Sequence, residues 1–228
     1  MREIVLDTET TGFDPATGDR IVEIGCVELW DHLPTGKSFQ AYLNPERLVP
    51  PETTKVHGLT DEFLADKPLF AHIVEELLEF IGDAPLVIHN ASFDMKFVNS
   101  ELHRCGKSPL HAARAIDTIE IAKAKIPGAR YSLDELCKRF GIDLSARSKH
   151  GALLDAELTA RVYIELLGGR QAHLVLAPRD GELAPGEIVT VALARVTPLP
   201  PRVTAEELET HTAFVAKELG ADAVWNWR

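Results

Sequence analysis

Ile4-Val-Leu-Asp-Thr-Glu-Thr-Thr-Gly12 starts apolar, turns acidic and stops at a glycine. In an extended strand, side chains two apart share a face, so Asp7 and Glu9 point one way and Thr8 the other. Two carboxylates at the end of a buried strand repel each other, and are tolerated only with a cation beside them or a proton on one. An isolated Asp-x-Glu also fits a strand end that faces water, so the pair carries chemical meaning only if other acidic motifs join it.

Two more strands come after it. Ile21-Val-Glu-Ile-Gly-Cys-Val-Glu-Leu29 is rich in β-branched residues, and Ser38-Phe-Gln-Ala-Tyr-Leu43 alternates. Gly12, Asp14-Pro15, Gly18 and Pro34-Thr-Gly36 supply turns, so the N-terminal part reads as a three-strand meander. A loop with Pro45, Pro50 and Pro51 comes next. Phe70, Ile73, Val74, Leu77, Leu78 and Ile81 recur at helical spacing and Gly82 ends the pattern. Leu86-Val-Ile88 reads as a short buried strand, followed by a helix from Ser92 to Arg104. Further helices fit 117–125, 132–140 and 152–167. This order predicts an α/β domain with a mixed sheet flanked by helices.

The texture changes after Gly168-Gly169. Pro178, Pro185, Pro198, Pro200 and Pro201, with Gly181 and Gly186, read as a tether. Thr204 and Glu207 form a capping-box pattern that opens a helix to about Leu219, stopped by Gly220. The expected organisation is a domain over 1–168, a flexible linker over 169–203 and a C-terminal segment over 204–228.

The chain has 228 residues, 45% of them hydrophobic, with 24 Lys+Arg against 35 Asp+Glu. That much apolar surface excludes a largely disordered chain. No stretch approaches the roughly 18 apolar residues that cross a bilayer, so no membrane association is expected. Cys26, Cys105 and Cys137 match no disulfide or zinc spacing; they read as small buried hydrophobes in a reducing cytoplasm. The net charge of −11 means that the chain's own field repels nucleic acid. If it acts on nucleic acid, bound cations or a partner must supply much of the attraction.

Two further motifs give the acidic strand its meaning. His89-Asn-Ala-Ser-Phe-Asp94 follows the short strand and puts Asp94 in the first turn of a helix, with Asn90 read as its cap. In His150-Gly-Ala-Leu-Leu-Asp155, five residues on one helix would separate His and Asp by about 140°. They converge only if His150 precedes the helix, a bend that Gly151 eases. Four carboxylates at strand ends and helix starts, with one imidazole, meet at one edge of an α/β sheet. That set suits two-metal hydrolysis of a phosphodiester, with hard oxygen ligands favouring Mg²⁺ or Mn²⁺ and the His taking a proton from water.

In order and interval the three motifs resemble those of the DEDDh exonucleases, over about residues 2–168. The set is specific where each motif alone is not. Within that family the chain is similar to the proofreading epsilon subunits of bacterial DNA polymerase III, also in Val56-His-Gly-Leu-Thr-Asp-Glu-Phe-Leu64 and the Trp-rich end. The resemblance implies a ribonuclease-H-like fold and 3′→5′ exonuclease activity on a single-stranded or frayed DNA end. It makes Asp7, Glu9, Asp94 and Asp155 the ligands of two divalent cations and His150 the general base. It adds Glu52 and His57 as contacts to the terminal nucleotide, beside Asp7, Glu9 and Asp155.

The resemblance also names partners. The C-terminal helix, with Leu208, His211, Phe214, Val215 and Leu219 near one stripe and Trp225 and Trp227 beyond, would dock on the polymerase III alpha subunit. Gln171, Leu174 and Leu176 resemble the anchors of sliding-clamp-binding peptides, and a small theta-like subunit is a further partner. Seven basic residues between Lys123 and Lys149, Arg147 among them, fit either phosphate contact or a solvated face. The rival readings are an RNA-trimming DEDDh enzyme and a catalytically silent adaptor of the polymerase.

Overall fold

The computed structural model describes residues 1–145, 147, 149–169 and 204–218. The meander forms as expected. Strands β1 (Arg2–Thr10), β2 (Ile21–Trp30) and β3 (Leu33–Tyr42) pair antiparallel in sequence order. Strand β3 begins at Leu33 rather than Ser38, because the Pro34-Thr-Gly36 stretch continues the hairpin instead of ending it. It is the sheet's edge and mostly exposed, so its first half has no alternation to read.

The rest of the sheet is parallel. β4 (Leu86–Ile88) pairs with β1, and β5 (Ala115–Asp117) pairs with β4, for the order β3-β2-β1-β4-β5. Strand β5 has three residues, too few to show a period of two, and the sequence alone suggested only the helix after it.

Where a proline-rich loop was expected after the meander, helix α1 (Pro51–His57) forms, followed by α2 (Asp61–Leu64). Pro51 opens α1 rather than breaking it, since the first helical position needs no N–H partner. The remaining helices lie within a residue or so of their expected places. They are α3 (Phe70–Ile81), α4 (Ala91–Arg104), α5 (Thr118–Lys125), α6 (Leu133–Phe140) and α7 (Ala152–Leu166).

The alternation of β1 sorts these helices onto two faces. Ile4 and Leu6 enter a core with α3 and α4, while Val5 packs with Ala156, Ala160 and Tyr163 of α7. A third cluster joins α5, α6 and the outer side of α7. Helix α4 is held by a bidentate ion pair, in which Arg20 donates from Nε and Nη2 to the buried Glu101 at 2.6 and 3.0 Å. Cys26 and Cys137 are buried and Cys105 partly so; all three are free thiols.

Helix α8 (Ala205–Glu218) belongs to a second unit and is described by itself. Its capping box is reciprocal: Glu207 N–H donates to Thr204 Oγ1 at 3.3 Å, and Thr204 N–H to Glu207 Oε2 at 2.8 Å. Leu208 and Phe214 are exposed on it. Gln171, Leu174, Leu176, Leu219, Trp225, Trp227 and the linker expected over 169–203 lie outside the described residues, apart from Gly169. Among the described residues no helix is long and apolar enough to cross a membrane.

Candidate active site

The carboxyl ends of β1 and β4 bring the acidic motifs together. Asp7 and Glu9 project from β1 on the α7 side, as the strand period requires. Asp7 pairs in register with Gly25 of β2, and Glu9 with the buried Glu23. Thr8 points to the other face and there donates from Oγ1 to Asp94 Oδ1 at 2.7 Å. The residue between the two acids thus anchors the third one, a role that strand alternation alone does not reveal.

Asp94 sits in the first turn of α4, 3% exposed. The entry into that helix differs from expectation. Asn90 occupies the cap position at φ 68° but makes no side-chain cap hydrogen bond. Asp117 at the end of β5 does the capping instead, accepting from Asn90 N–H at 3.2 Å and Ala91 N–H at 3.0 Å. It also accepts from Ile119 N–H at 2.8 Å, so one carboxylate caps α4 and α5 together. Asp117 lay outside the motifs, and only a strand end beside a helix start could have pointed to it.

His150 precedes α7, as its geometry with Asp155 requires, and Asp155 is buried in the helix's first turn. Gly151 lies at φ −155°, extended backbone open to any residue, so the bend needs no glycine. His150 is exposed, and its N–H donates to the carbonyl of Val56 at 3.2 Å, tying this segment to α1.

Glu52 is exposed on α1, while His57 at its end is buried. His57 Nδ1 accepts from Leu59 N–H at 3.0 Å and its Nε2 is buried without a partner. Burial holds the His57 imidazole below its ordinary pKa.

Glu9, His150 and Asp155 each offer one donor atom within 4.8 Å of the others, a set suited to a hard cation. Asp7 and Asp94 stand outside that trio of atoms but within its field. Burial, then Asp94, Glu9 and Asp155, push the Asp7 carboxyl well above its ordinary range. Burial and the neighbouring acids push Glu9 up to about 8. Burial raises Asp94 to about 7 against the opposing Thr8 hydrogen bond. These carboxyls are short of positive charge, and divalent cations would supply it; the donor set and its electrostatics both fit such ions.

A cavity of about 330 Å³ opens beside them, lined by Asp7, His89, Asn90, Arg147, His150 and Asp155 among others. Of the seven basic residues noted in the sequence, Arg147 enters the site. It donates from Nε and Nη2 to Asp155 at 2.6 Å each.

The chain matches the exonuclease family over residues 4–163. It is 46% identical over 223 residues to the DNA polymerase III subunit epsilon of Rickettsia typhi, covering 96% of this chain and 97% of that one. It is 40% identical over 235 residues to the subunit of that name from Escherichia coli, covering 98% and 97%. Among solved structures, exonuclease X in complex with 5′-overhanging duplex DNA matches at TM-score 0.56 and 27% identity, over 72% of this chain and 90% of that one. The nuclease domain of 3′hExo, a DEDDh family member bound to rAMP, shares the fold at TM-score 0.63 and 21% identity, over 73% and 91%. The chain therefore belongs to the exonuclease family and, within it, to the DNA polymerase III epsilon subunits.

Proposed function

We propose that this chain is the proofreading 3′→5′ exonuclease of a replicative polymerase III, removing mismatched 3′-terminal deoxynucleotides by phosphodiester hydrolysis. The observation that carries the reading is the convergence of Glu9, His150 and Asp155, with Asp7 and Asp94 in the same field. Asp7, Glu9, Asp94 and Asp155 would hold two divalent cations, Mg²⁺ or Mn²⁺. Such ions, when bound, neutralise charge on the phosphodiester and stabilise the attacking and leaving oxygens.

The chain's own residues supply the rest. Thr8 fixes the orientation of Asp94. His150, exposed at the site, would accept the proton of the attacking water and release it to solvent. His57 and Glu52, on the helix whose end is tied to His150, are proposed contacts of the terminal nucleotide. A mismatched end costs less to unpair, so preference for it can come from the duplex itself. The exposed Leu208 and Phe214 of α8 are proposed anchors on the polymerase alpha subunit, and Gln171, Leu174 and Leu176 on the sliding clamp.

The test is digestion of 3′-labelled primers, matched or mismatched, with Mg²⁺ or with chelator. The expected result is stepwise loss of 3′ nucleotides, faster from the mismatch and abolished by chelation. Activity on RNA alone would favour the RNA-trimming reading. No digestion under any condition would favour the adaptor.

A further inference from the structure

Arg147 occupies an unusual place for a positive side chain. Its side chain is 7% exposed and its guanidinium is bound on three sides. Nε and Nη2 grip both oxygens of Asp155 at 2.6 Å. Nη1 donates to Asp134, and Nη2 lies 2.8 Å from His150 Nδ1. Among the described residues no other Lys or Arg forms an ion pair with Asp7, Glu9, Asp94 or Asp155.

The same imidazole nitrogen lies 3.2 Å from Asp155 Oδ2. Arg147 thus engages a cation ligand and the proposed base together. A bidentate Arg–carboxylate pair is among the stronger polar contacts in proteins, and here it is screened from water.

We propose that Arg147 is the site's resident counter-cation: it stands in for a divalent ion on Asp155 and must yield that carboxylate before an ion can be held there. The inference rests on the reading of Asp155 as a cation ligand. Asp134 grips Nη1, on the side of the guanidinium away from Asp155, so Arg147 keeps an anchor at the rim of the cavity when it lets go. Arg147 thereby limits repulsion in the ion-free protein and lowers its apparent affinity for ions by competition.

Calorimetric titration of the full chain with Mn²⁺ alone, without DNA, tests this, together with thermal unfolding in chelator. Arg147→Gln is expected to bind Mn²⁺ about tenfold tighter than wild type, the order of one charge-assisted pair removed, and to unfold at lower temperature in chelator. Arg147→Lys, which keeps the charge but loses the fork, should fall between them and guards against a glutamine variant that fails to fold. If wild type binds Mn²⁺ and both variants bind it equally or more weakly, the competition is refuted while the cation site stands. If wild type binds no Mn²⁺, the cation site and this inference fall together.

Discussion

At residue 25 the sequence has room only for glycine. A Cβ there would lie 2.3 Å from Leu153 N and 2.4 Å from Ala152 C, inside the backbone of α7. Since Gly25 is the register partner of Asp7, this contact sets how near α7's first turn, with Asp155, comes to β1. Gly25→Ala is expected to cost about 1–3 kcal/mol from overpacking, seen as a drop on the order of 5 °C in Tm. It should also weaken Mn²⁺ binding, because Asp155 is pushed off its neighbours. Asp7→Asn makes the opposite trade. It removes one of several mutually repelling charges, so Tm in chelator should rise by a few degrees while exonuclease turnover falls about a thousandfold or more. The convergence of Glu9, His150 and Asp155 was legible because their residue types and intervals suit one chemistry. Gly25 and Thr8 were not, because nothing local in a strand says what packs over it.

At the scale of elements, the site depends on how α4 and α3 are fastened to the sheet. Asp117 caps α4 and α5 at once, so Asp117→Ala should cost about 0.5–2 kcal/mol in lost cap hydrogen bonds and shift Asp94. Comparing Tm and turnover with those of Asp117→Asn, which keeps an acceptor, checks this. Arg2 pins the end of α3, donating from Nε to Glu28 at 2.5 Å and from Nη1 to the carbonyl of Ile81 at 3.3 Å. Its hydrogen bond to Arg2 holds the Glu28 carboxyl below its ordinary pKa. A depressed carboxylate stabilises the fold above its unfolded pKa of about 4.5, and that stability is lost as pH falls through the lower folded value. Glu28→Gln should therefore unfold a few degrees below wild type at pH 7, and the gap should close toward pH 3. The longer helices were readable from their apolar spacing and caps. Helix α1 and strand β5 escaped because one starts on a proline pair and the other has three residues, where periodicity has nothing to work on.

At the scale of the whole molecule, the chain is acidic, so on the proposed reading its attraction for DNA would be borrowed from cations and a partner. The described α/β body carries every proposed chemical residue, and α8 leaves Leu208 and Phe214 exposed. A chain ended after residue 169 is expected to keep its exonuclease turnover yet fail to co-purify with the polymerase alpha subunit; retained association would place the docking surface elsewhere. Helix α8 was legible from its Thr204–Glu207 cap, the linker expected over 169–203 lies outside the described residues apart from Gly169, and the receiving surface on a partner is not encoded in this chain. The most direct test of the account is anomalous diffraction at the manganese edge from crystals soaked in Mn²⁺. The account predicts two peaks among Asp7, Glu9, Asp94 and Asp155, with Arg147 withdrawn from Asp155. Saturating Mn²⁺ with no peak among those four carboxylates would contradict it.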